Sequence, residues 1–139
     1  MQYRKIDGTI VARLDIDDEI ITSLKKICEE NKVESAMVHA IGAVKNATVA
    51  MFDFKSGAYN ENELNEFMEL LSLEGNVTNM QGETYIHLHA AFGDEKGHAF
   101  GGHLKKAVIG ATCEMFIIPF SQPVERVKQE ETGLNIFKL

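Results

Sequence analysis

Only one stretch of this chain has helical periodicity, and most of the sequence after it alternates with a period of two. That switch restricts the possible folds more than any other feature of the sequence. Ile20, Ile21, Leu24, Ile27 and Cys28 recur at helical spacing and leave Lys25, Lys26, Glu29 and Glu30 on a wet face. Asp17 reads as an N-cap, Asp18 and Glu19 suit the positive end of the helix dipole, and Asn31 is a stop. A helix is therefore predicted over 18–31. Before it, residues 9–14 alternate as a strand. After it, 35–41 and 48–54 read as strands joined through 42–46, and the polar stretch 60–65 reads as loop. Residues 67–73 form another predicted strand, ended by Gly75-Asn76. Then come strands at 85–92, 98–105 and 111–119, a charged segment after Pro123, and a short apolar strand at 134–137. One helix and about seven strands joined by short turns define an α+β class: a mostly antiparallel sheet packed against one main helix.

Length supports one domain over residues 1–139, because a chain of this size buries roughly two-thirds of its unfolded surface and folds without a staple. The formal net charge is −7, and the densest basic stretches are the pairs Lys25-Lys26 and Lys105-Lys106. Affinity for a phosphate backbone comes largely from clustered Lys and Arg, so charge gives no support for a nucleic-acid surface. Cys28 falls on the apolar helix face and Cys113 inside an apolar strand, which predicts buried, reduced thiols. Met1 to Gly8 is polar, with no apolar signal core, and the apolar run around Pro119 is too short to span a bilayer. A cytoplasmic protein without membrane contact is expected.

Three of the five histidines, His87, His89 and His103, carry the sharpest chemical signal. His87 and His89 are two apart in a strand and share a face, with Ile86, Leu88, Ala90 and Phe92 on the core side. The segment Asp94-Glu95-Lys96-Gly97 fits a type I turn closed by glycine in the left-handed region, a three-residue hairpin loop. Asp94 then opposes His98, and counting back puts His89 opposite His103. A two-residue loop would send His103 to the other side. Gly101-Gly102, inside the same strand, marks a close approach or room for a metal, a ligand or a neighbouring subunit. Three converging neutral imidazoles are the ligand set of an open zinc site, and nickel, iron or cobalt accept the same donors. The alternative is three sheet histidines satisfied by neighbouring hydrogen bonds. His39 reads as a half-buried strand residue and His98 as exposed beside the turn.

No nucleophile elbow, phosphate loop or dinucleotide fingerprint is present. Glu69 and Glu114 each interrupt an apolar strand. Either could serve as base for a metal-bound water, the route to a metal-dependent enzyme acting on a small molecule, or could simply be an exposed strand residue.

Five ordered blocks resemble the plant-and-prokaryote-conserved (PPC) domain family. They are Ser35 to Ala47, Glu69 to Asn76, His87-Leu88-His89 with Gly93-Asp94 and Gly101-Gly102-His103-Leu104, Gly110 to Glu114, and Glu130 to Leu134. The resemblance spans residues 3–139. It implies an α+β fold with a mostly antiparallel sheet and a homotrimer, and it favours a metal at His87, His89 and His103, because prokaryotic members share the histidine block. It also brings a DNA-binding label, since plant members follow AT-hook segments in nuclear proteins. This chain departs from that pattern: it has no Arg-Gly-Arg-Pro hook, and Glu66-Phe67-Met68-Glu69 stands where plant members have Gly-Arg-Phe-Glu. The expected function is a homotrimeric PPC-domain protein with a DNA-binding or regulatory label and a three-histidine site for zinc or another divalent metal. The ligand of any such site is not specified by the sequence.

Overall fold

The computed structural model describes every residue from Met1 to Leu139. Helix α1, Ile20–Glu30, buries Ile20, Leu24, Ile27 and Cys28, the apolar stripe of the sequence. Each large apolar side chain taken out of water there contributes up to about 2 kcal/mol. Its cap is Glu19, not Asp17: the Glu19 carboxylate accepts from the backbone N–H groups of Ile21 (3.1 Å) and Thr22 (2.8 Å). Asp17 has φ +74°, and its N–H donates to the Ile109 carbonyl at 3.1 Å. Asp18 accepts from the N-terminal ammonium at 2.9 Å. Of the two carboxylates expected at the helix dipole, Glu19 is there and Asp18 is occupied elsewhere. Asn31 ends the helix, its side-chain amide donating to the Ile27 carbonyl at 2.8 Å.

The strands are β1 (Gln2–Ile6), β2 (Thr9–Leu14), β3 (Ala36–Asp53), β4 (Ala58–Leu64), β5 (Met68–Met80), β6 (Glu83–Gly93), β7 (Ala99–Pro119), β8 (Glu125–Lys128) and β9 (Asn135–Lys138). All nine belong to one hydrogen-bonded sheet, antiparallel except where β5 meets β8. Within it, β3 pairs with β5, β5 with β6, β6 with β7 and β7 again with β3, a closed circuit that leaves none of these four as a free edge along its whole length. The inward side carries Val38, Leu73, Leu88, Met115 and Ile117, all essentially buried, and α1 lies against β6 and β7.

The eight segments that read as strands become nine strands because two expected breaks are absent, which merges two pairs, and three strands were hidden. Residues 42–46 do not connect two strands; they are bulged positions inside β3. Residues 105–111 likewise run straight through β7. Gly42 and Gly75 read as interruptions, yet they are crossing points: a Cβ on Gly42 would lie 2.3 Å from the Thr112 carbonyl oxygen, and one on Gly75 2.0 Å from that of His87. The expected loop at 60–65 is the exposed edge strand β4, polar because it faces water. β1 and β2 join through Asp7-Gly8, both at positive φ, the geometry of a type I′ hairpin turn. β8 and β9 form a terminal hairpin. No helix is long and apolar enough to cross a membrane.

Candidate metal centre

The hairpin between β6 and β7 sets the geometry. Asp94 receives the Gly97 N–H on its carbonyl (3.1 Å) and donates its own N–H to the His98 carbonyl (3.0 Å), while Gly97 sits at φ +80°. This is the three-residue loop read from the glycine position. His89 is paired directly with His103, and His87 lies two residues back on the same side. Asn76 and Glu74 of β5 stand opposite His87 and His89.

The three rings converge. One ligand nitrogen from each can be chosen so that all lie within 4.8 Å of one another. The Nε2 atoms of His87 and His89 are 3.3 Å apart. Two nitrogens at about 2.0–2.1 Å from a tetrahedral zinc are about 3.3–3.4 Å apart, so this pair already has the spacing of a ligand edge. The same distance accommodates one N–H···N bond between the rings. His103 Nδ1 is different: it is buried and has no hydrogen-bond partner. A buried polar nitrogen left bare is costly unless something outside the chain satisfies it. The other face of the site is aromatic. The Tyr59 ring lies 4.9 Å from the His103 ring, with the Lys105 ammonium 4.2 Å above Tyr59.

Electrostatics prepares the rings as neutral donors. Burial, reinforced by His87, Lys105 and His89, pushes His103 down to about 4. Burial, then the positive charge of Arg126 and then His89, lowers His87 as well. Neutral imidazole is the form that ligates, so neither ring has a proton to lose near pH 7.

A cavity of about 790 Å³ opens over the trio. Sequence reasoning missed its most consequential wall, Arg126 on β8. Arg126 is 7% exposed and donates from Nε to Thr78 Oγ1 (2.8 Å), from Nη2 to Asn76 Oδ1 (2.7 Å) and from Nη1 to the Asn135 carbonyl (2.6 Å). Its guanidinium stacks on Tyr85 and Phe137, each ring centre 4.7 Å away. No periodicity marks this residue, because its burial depends on the β8–β9 hairpin folding back onto β5 and β6. Gly101 and Gly102 do line the cavity, but they are pressed against the backbones of β6 and β3.

The remaining candidates lie elsewhere. Glu69 and Glu114 are exposed and share a separate depression with Ile41, Leu71 and Thr112; no carboxylate lines the histidine cavity. Neither can therefore act as base at this site from within its own chain. His39 bonds Glu74 at 2.6 Å, and the exposed His98 bonds Asp94 at 2.9 Å. Cys28 and Cys113 are free and buried, and burial raises both thiols to about 12.

Comparison with solved structures finds this fold complete in several proteins. A candidate DNA-binding protein of Bacteroides thetaiotaomicron superposes with a TM-score of 0.95 at 30% identity, over 99% of this chain and 96% of its own. A metal-containing protein of Archaeoglobus fulgidus gives 0.89 at 31% identity, over 100% and 99%. A plant- and prokaryote-conserved protein of Pyrococcus horikoshii gives 0.87 at 29% identity, over 99% and 94%. No protein of curated function matches the chain. The family model of the Plants and Prokaryotes Conserved (PCC) domain matches residues 1–121, and the chain belongs to that family.

Proposed function

We propose that this PCC-domain protein holds a divalent transition metal, zinc by preference, on His87, His89 and His103 within a homotrimer. The observation that carries the reading is the convergence of one ring nitrogen from each of His87, His89 and His103, with the buried Nδ1 of His103 left unpartnered by the chain. Three nitrogens with a fourth position open is the donor set of a zinc centre that binds a further ligand. A relative of 31% identity known as a metal-containing protein supports it. The trimer draws support from an apolar strip on the outward sheet face, where exposed Met37 is paired with exposed Ile118 and exposed Phe116 lies on the same side. The test is elemental analysis of untagged protein beside His87→Ala/His89→Ala. One metal per chain, lost in the variant, is the expected result; equal content in both overturns the site.

The size of the cavity favours a second reading, in which the metal activates water against a small molecule. The base must then come from somewhere other than Glu69 or Glu114. DNA binding rests on what relatives are called, and the net charge of −7 weighs against it. A mobility-shift titration of duplex DNA at low ionic strength decides it, absence of a shift removing the reading.

A further inference from the structure

Arg126 is a buried cation with no anion. Its three hydrogen bonds go to a hydroxyl, an amide oxygen and a backbone carbonyl, all neutral, and it takes part in none of the ion pairs of the chain. Burial lowers its pKa, as expected for a charge removed from water without a counter-ion. The charge borders the cavity over the histidines, and no Asp or Glu lines that cavity. Arg126 is also tied to the histidine strand. It holds Asn76, the residue opposite His87, and stacks on Tyr85, two residues before His87 on the same face. The guanidinium carbon lies 4.7 Å from the centres of the Tyr85 and Phe137 rings, and Arg126 itself lines the cavity. Two of its five N–H groups are not used by protein acceptors. Lys105 adds a second positive charge near His103.

We propose that the cavity binds a small organic carboxylate, its acid group seated on the edge of Arg126 and a second oxygen directed at the histidine trio. A guanidinium edge matches a carboxylate bidentately, which a lysine would not. Arg126 supplies the missing charge balance, and half of the cavity lining is hydrophobic, with Val49, Met51 and Phe52 among it, which suits a short carbon body. About 790 Å³ is in the range of pockets that enclose small organic ligands. The second contact rests on the metal reading above; the first does not.

The test is a thermal-shift titration with three probes: lactate, its neutral analogue lactamide, and inorganic phosphate. Zinc-loaded and chelator-stripped protein are both titrated, with zinc content measured on each sample. Lactate is expected to bind wild type about tenfold or more tightly than lactamide, one charge-assisted contact being worth roughly that factor. Arg126→Met is expected to lose that preference while keeping its zinc. The lactate-to-lactamide comparison needs no variant, so it stands even if Arg126→Met does not fold. Equal binding of the two probes overturns the proposal, as does tighter binding of phosphate than of lactate. If wild type holds no zinc, the metal reading fails by itself. Arg126-dependent lactate binding in that protein would uphold the anion site, and its absence would remove both.

Discussion

Acidifying the metal-free protein tests the electrostatics of the site directly. His103 titrates at about 4 in the folded chain against an ordinary 6.5, with burial the main cause and His87, Lys105 and His89 adding to it. Between those values the unfolded chain binds a proton that the folded chain refuses, so folding stability is complete above about 6.5 and falls as the pH drops toward 4. The unscreened linkage for such a shift is about 3 kcal/mol. The ring is only half-buried, and water screens it, so about 1–2 kcal/mol is the realistic loss. Carboxylates titrate over part of the same range, which calls for an internal reference: His103→Gln keeps a neutral polar side chain and removes the proton site. Urea unfolding in chelator at pH 7.5, 6, 5 and 4.5 should show wild type losing about 1–2 kcal/mol more than the variant, with the gap opening below pH 6.5. Parallel stability curves, or a wild type less acid-sensitive than the variant, would refute a desolvated His103.

Packing sets the other expected outcomes. Gly75→Ala places a methyl group 2.0 Å from the His87 carbonyl oxygen and should cost about 3 kcal/mol or more, whereas Gly82→Ala, with φ +87° but open space, should cost about 1 kcal/mol. Urea midpoints compare the two. Cys28 and Cys113, buried and raised to about 12, should be inert to a thiol reagent in native buffer and react fully once the chain is unfolded in urea. Phe116→Lys with Ile118→Glu places charges on the outward apolar strip and should convert the proposed trimer to monomer by light scattering; an unchanged mass would assign that strip another role.

What could be read in advance was whatever depends on neighbours along the chain. The helix, its buried stripe and the alternation of β6 come from local spacing, and the glycine of the 94–97 turn fixed the pairing of His89 with His103. Three histidines on one face were therefore legible. Asp7-Gly8, at the turn of the first hairpin, is a local signal of the same kind. Tertiary structure decided the rest. Gly42 and Gly75 look like strand ends because glycine commonly ends strands, yet here each lets another backbone pass at a distance that no Cβ could share. β4 reads as loop because an exposed edge strand has no buried face to impose alternation. Glu69 and Glu114 could be paired with the histidines on paper only; the closed circuit of β3, β5, β6 and β7 puts them in a different depression. Arg126 is the fullest case. In the sequence it is one charge in a polar tail, and it becomes a buried cation facing the site only when β8 and β9 fold across the ends of β5 and β6. Long-range burial of a charge has no local signature, because the groups that desolvate and hold it are distant in the chain.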